Sequence, residues 1–537
     1  MRSNLRSLPI AALAAVVVFA PPAHAKKRTE VHPYLEIDQT VLGSIKPSGP
    51  AETYTTVAAG VDASTVTSRA EAQISARYEF RHGWRKGSGD SHVISGLARG
   101  RYDIAPNLIS IEGGVLATRT RTDIRGSAPL AGLGNPSNTS QLYSAYAGPR
   151  LATQLGPLNV SASYLIGYTK TETETRGLLP PGSPALGGFD SSVSHAAGAS
   201  VGMKSGILPF GWTVSAAYNR DDASILDQRY EGKFVRGDVV LPITPTVALT
   251  GGVGYEKIQS SQRDPVVDAN GNPVVDANGR YVTNTASPRR LSYDQSGFIW
   301  DVGVLWRPSN RTSLSAKVGR RYGDMTYIGD FSWQISEDQA FQVGVYDGVT
   351  TFGQQVGGAL RSIPTQFVVS RDPFSNQFGG CVFGTGTGGA GSCLSPALQS
   401  IAQGTYRSRG VGAVWRYARG ANSFGLAAGY SQRRFYAPPV GGFSINGQTD
   451  SSIYAQADFT HRFDDVSGLD TSAYLNWYKS GVNGAPRVLG VGGTASYYRN
   501  FGPRLTGTAS VGVYSSDVSG VESTVTGAAQ VGARYTF

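Results

Sequence analysis

The chain has 537 residues, of which only 16% are charged, with 69 glycines, 27 tyrosines, two cysteines and a formal net charge of +10. A mean hydropathy of −0.18, with no internal run of the 18 or more apolar residues a spanning helix requires, excludes a helical membrane protein, and two cysteines in so long a chain exclude a disulfide scaffold. The basic balance fits an anionic partner or charge dispersed over surface and lumen; nothing points to nucleic acid.

Residues 1–25 read as a secretory signal. Arg2 and Arg6 give a positive start, Ser7 to Ala20 an apolar stretch too short to span, and Ala23-His24-Ala25 an A-x-A-like cleavage site. Past that site, the route open to a membrane protein is a closed β-barrel, because only helices and barrels satisfy the backbone in lipid. A first strand is expected near Val31. Over Ala70–Arg81, Ala72, Ile74, Ala76, Tyr78 and Phe80 share one face, while Glu71, Gln73, Ser75, Arg77, Glu79 and Arg81 share the other. The same two-residue period recurs over Leu158–Tyr168, from Trp212 to Tyr218 and from Ile453 to Phe463. Recurrence along the whole chain is the sequence mark of an outer-membrane barrel.

Connections alternate in length. Pro, Gly and Asn mark short turns at 105–107, 155–157, 241–245, 307–310, 419–421 and 501–503. Long connections fall at 121–140, 174–190, 261–292, 353–404 and 437–450, the extracellular side of such a barrel. Within 261–292 the string PVVDANG occurs at 265–271 and again at 273–279, and its Asn-Gly pairs predict a small β excursion. Asp268, Asn270, Asp276 and Asn278 have a hint of calcium spacing, but the closing Glu is missing and no metal is assigned. The 353–404 stretch holds Cys381 and Cys393, expected as a disulfide stapling an external loop, and 394–401 predicts one or two helical turns. A stretch of that length is functional or mobile, and folding inward to narrow the pore stays open.

At the end of the chain Val531, Ala533, Tyr535 and Phe537 alternate with small or polar residues. A closing strand that stops on an aromatic resembles the assembly signal of bacterial outer-membrane barrels. Arg77, Arg81, Arg99, Arg101, Lys317, Arg321, Arg416, Arg433 and Arg462 take the polar parity of their strands, as do Tyr346 and Tyr454. A charge on the lipid face costs ~2–4 kcal/mol at the midplane, so these side chains are expected in the lumen. There they line a path for sugars or acids, or pair into a network that stiffens the wall. His82, His92 and Asp90 are the best titratable cluster, but no nucleophile or metal motif accompanies them, so no enzyme and no cofactor is expected. A TonB-dependent transporter carries a plug domain ahead of its barrel; only Lys26 to Glu30 precede the first expected strand, and that alternative is set aside.

Residues 298–314, FIWDVGVLWRPSNRTSL, followed by GRRYG at 319–323, Thr326-Tyr327 and YDGVTT at 346–351, resemble the outer-membrane proteins associated with PEP-CTERM/exosortase loci, as does NLISIE at 107–112. That resemblance implies a role in exopolysaccharide secretion or assembly and carries over no catalytic residue. The expectation is an all-β chain: after the signal, residues 26–537 form a single antiparallel transmembrane barrel of about 22 strands, 18 to 24 being the range. It would act as a passive channel or assembly component for an exopolysaccharide, with a general small-solute porin or a plugged structural barrel with partner-binding loops as alternatives. Outer-membrane lipid and lipopolysaccharide, the barrel assembly machinery, an acidic exopolysaccharide and periplasmic export proteins are the expected partners.

Overall fold

Strands that alternate apolar and polar residues over ten or more positions separate two media, and closing the sheet leaves no unpaired edge in lipid. The computed structural model describes residues 28–85, 90–122, 139–173, 189–276, 280–385, 389–402, 404–440 and 444–537. The signal at 1–25 and most of the connections 121–140 and 174–190 lie outside them. Twenty-two antiparallel strands, each paired with its neighbours in sequence, run from Arg28–Lys46 to Thr524–Thr536. The last pairs with the first, Tyr34 opposite Thr536 and Thr40 opposite Gln530, and the ring closes as a barrel. The Phe537 N–H donates to the Pro33 carbonyl at that seam.

The two faces sort by parity. On the first strand Leu35, Ile37 and Val41 are exposed outward, whereas Asp38, Thr40 and Leu42 are buried inward. Outward aromatics gather at the short-turn end. Trp415, Tyr417, Phe424, Phe459, His461, Phe463 and Tyr497 form an unbroken chain of ring contacts, with Phe331–Phe341 and Tyr535–Phe537 beside it. Such a girdle marks a membrane boundary, because the rings prefer the interface to either side of it.

The wall is low over two short strands. Strands Thr312–Arg321 and Asp324–Gln334 are 10 and 11 residues long and joined by Tyr322-Gly323, both at positive φ. Asp324–Gln334 pairs with Gln339–Thr351 only from Gly329 to Gln334. Above that point side chains close the gap: Arg407 holds Asp347 at 2.7 Å and Asp324 at 3.1 Å, and Arg409 holds the same two carboxylates.

Beside the dip the chain turns inward. Gln339–Thr351 pairs directly with Thr405–Arg419, and the described residues between them, 352–385, 389–402 and 404, fold inside the ring. They form helix α1 (Phe352–Ser362), a three-stranded sheet (Phe367–Arg371, Phe378–Gly384, Gly391–Cys393) and the short helix α2 (Ser395–Leu398). Thr351 caps α1 by accepting from the Gln354 N–H. Phe352, Val356 and Leu360, four residues apart on one face, are at most 1% exposed. Thus the stretch expected as an external loop occupies the lumen, and the helical expectation at 394–401 is met by α2.

The repeat also has a definite shape over 265–276. Val266 donates to Val282, Val282 to Val274 and Val274 to Val266, closing the two copies and the stretch that follows them on one another. Asp268 accepts the N–H groups of Asn270 and Asn272, and Asp276 accepts that of Arg280. Those carboxylates cap turns, and among the described residues no three metal-ligating side chains converge.

Candidate functional site

The luminal segment is held by an apolar patch on the inner wall. Leu97, Leu116, Leu142 and Leu165 project inward on the parity that elsewhere carries polar groups, and they are 0–8% exposed. They pack with Phe352, Val356, Leu360, Ile363, Phe367 and Leu394 of the segment. Burying each such side chain stabilises the docked state by about 1.5–3 kcal/mol before ordering costs. A second contact sets Phe383 and the Cys381–Cys393 disulfide against Ala340, Val414, Ala427 and Tyr454. Phe374 fills a third, between Tyr54 and Tyr514.

Polar anchors complete the docking. Arg99 donates to the carbonyls of Arg361 at 2.8 Å and Ile363 at 3.0 Å, neutralising the C-terminus of α1. The Gln73 side chain pairs with the backbone of Phe367 in both directions, and Gln456 accepts the Cys381 N–H. Tyr514 donates to Asp372 at 2.6 Å. Burial pushes the Asp372 carboxyl above its usual range, against that bond and the N–H groups of Phe374 and Ser375. On the far side Arg433, wholly buried, holds Asp450 at 2.5 Å and donates to the Ser400 carbonyl, while Gln399 bonds Ser431, Ser452 and Asp450.

The sequence-predicted lumen residues therefore separate into distinct roles. Arg77 and Arg81 are locked in the wall, Arg77 on Glu36, Asp38 and Glu79 and Arg81 on Glu79. Arg99, Arg416 and Arg433 hold the luminal segment, Arg416 through the Gly389 carbonyl. Arg101 and Arg462 sit at the short-turn mouth, on Asp103 and the Gly420 carbonyl. Tyr454 is 5% exposed beneath Phe383, and its ring covers Gly412 and Gly429 of the neighbouring strands. Tyr346 lies likewise over Gly410. These rings fill the space that inward glycines leave, a packing role in place of the open stacking surface expected.

Lys317 and Arg321 lie on the arc away from the segment, with side chains 30% and 24% exposed. Lys317 shares Asp238 and Asp301 with Arg236, and Arg321 holds Glu256 at 2.6 Å. Three cations there face three carboxylates, with inward glycines 252, 254, 303 and 319 between them. The expected basic field is a balanced ladder of hydrogen-bonding groups. His82 and His92 lie on the outer face, bonded to Asp90 and Tyr78.

Sequence parity missed the carboxylates and segment residues that fix these roles: Asp347, Asp450, Gln399 and Arg361. Two signals were present for the segment. One is the four-residue spacing of Phe352, Val356 and Leu360; the other is leucine at the inward positions 97, 116 and 142.

No protein-family model matches the chain, and no characterised protein matches it in sequence. Among solved structures it is similar to the FrpB iron transporter of Neisseria meningitidis, at 10% identity over 94% of this chain and 82% of that one, with a TM-score of 0.43. The ferric-catecholate import receptor Fiu of E. coli K12 has 9% identity over 94% and 81%, with a TM-score of 0.42. For the copper transporter OprC the values are 10%, 96%, 82% and 0.41. At such identities the likeness extends no further than large-barrel architecture.

Proposed function

We propose that this chain is an outer-membrane transport barrel whose lumen is held shut by residues 352–404, and that it serves as a gated passage in exopolysaccharide secretion. One observation carries the gate: a single internal segment anchors to inner-wall residues from Tyr54 round to Tyr514. The outward apolar faces and the aromatic girdle support the membrane setting. The resemblance of 298–323 to exosortase-associated barrels supports the polymer, and the balanced ladder of Arg236, Asp238, Asp301, Lys317, Arg321 and Glu256 offers the dense hydrogen bonding that a hydroxylated chain needs. A general small-solute porin requires an open lumen, and the occupied one weighs against it.

Lipopolysaccharide is the proposed outer-leaflet partner. Lys233 and Lys257 stand directly opposite each other on the outward face, above an apolar groove floored by Ala197, Ala199 and Ala216. Lys233 holds Glu231 at 3.3 Å on its own strand, and a lipid phosphate that adds a second anion between the two lysines sets its acyl chain in the groove. Export is tested by deleting the gene and locating the polysaccharide. Polymer retained in the periplasm, and released again on complementation, is expected; undiminished surface polymer contradicts the reading.

A further inference from the structure

Helix α1 carries two adjacent glycines, Gly357 and Gly358, in its interior. Each weakens a helix by roughly 0.5–1 kcal/mol relative to alanine, and neither is required by packing, since a Cβ at either position would meet nothing within 4 Å. Both border a cavity of about 220 Å³ between α1 and the inner wall. That is far above the ~10–15 Å³ that holds one water. Tyr146 and Leu165 give it an apolar side. Arg361, Asn219 and Ser194 give it a polar side, and none of the three makes a side-chain hydrogen bond or ion pair among the described residues.

These features together describe a binding site. Elsewhere in the lumen the arginines named above are spent on carboxylates or on backbone carbonyls. The Arg361 guanidinium makes no hydrogen bond or ion pair among the described residues, Glu112 attracting it only through the field, while its own carbonyl is held by Arg99. A planar fork of donors matches a carboxylate bidentately. A carboxamide and a hydroxyl beside it suit vicinal hydroxyls, and an aromatic and aliphatic wall suits the C–H face of a ring. We propose that this cavity binds one sugar-acid unit, with its carboxylate on Arg361 and its hydroxyls on Asn219 and Ser194. The choice of ligand rests on the polysaccharide reading above, and the pair of glycines is then explained as the room the sugar ring occupies.

The test is isothermal titration of the full-length protein in detergent with D-glucuronate and, separately, D-glucose. Saturable glucuronate binding is expected, at least tenfold tighter than glucose, with Arg361→Gln reducing it tenfold or more. Gly357→Leu, which fills the cavity and leaves Arg361 in place, is expected to abolish binding while the folded barrel keeps its heat-modifiable migration. Absence of glucuronate binding, equal binding of glucose, or an unchanged affinity in Arg361→Gln overturns the proposal. A gene deletion that leaves export intact beside normal glucuronate binding sinks the export reading and spares the site; export lost on deletion without glucuronate binding does the reverse.

Discussion

At the scale of the residue, the lumen shows how little an inward direction says about a charge until its partner is known. Arg433 and Lys317 share the same parity, yet one is sealed against Asp450 and the other stands 30% exposed. Breaking a buried pair by removing one partner leaves an uncompensated charge and costs about 3–5 kcal/mol, whereas replacing both by apolar groups is often neutral. Asp450→Asn is therefore expected to lower the unfolding temperature measurably, and Arg433→Met with Asp450→Leu to recover most of the loss, read by thermal unfolding in detergent. The exposed ladder behaves differently. In a barrel relieved of its luminal segment, Lys317→Gln with Arg321→Gln leaves three carboxylates facing two fewer cations, so reversal potentials across a salt gradient are expected to move toward cation selectivity. An unmoved reversal potential places the conducting path elsewhere.

At the scale of the element, the luminal segment is a small domain without a core of its own; its core is completed by the wall. Leu360→Ala removes a side chain with no measurable exposure and is expected to cost 2–5 kcal/mol of docking. Native-state hydrogen exchange should show faster exchange in 352–371 and none in the strands Thr524–Thr536 and Arg28–Lys46. The Cys381–Cys393 bridge ties adjacent strands of the inner sheet, closing a loop of about 13 residues that contributes ~3 kcal/mol in the chain-entropy picture. Replacing both cysteines by alanine is expected to loosen 378–393 selectively, again by hydrogen exchange, while the gel mobility of the barrel stays as it was. Beside these elements two short strands end early, and Arg407 and Arg409 close the gap that the backbone ladder leaves open.

At the scale of the whole molecule, the barrel was legible in the chain because each wall strand faces two media and records both in alternation. Strand number and closure follow from that record, and so does the outward girdle around Phe463 and Tyr497. The occupied lumen was less legible. Docking of 352–404 rests on pairs from tens to hundreds of residues apart, such as Arg433 with Ser400 and Gln73 with Phe367, and no local period encodes them. Leu97, Leu116 and Leu142 on an otherwise polar parity were the local trace, since leucine facing a water-filled lumen has nothing to bury against unless something fills it. The polar parity of Arg99 and Arg416 was likewise correct in direction, while their partners, backbone carbonyls of the segment, leave no mark in composition. Single-channel recording in planar bilayers tests that filled lumen most directly. The wild-type protein is expected to show low or no steady conductance, and a variant with 354–402 replaced by a short Gly-Ser linker a large, steady one. A wild-type barrel that already conducts as strongly as the deletion contradicts it.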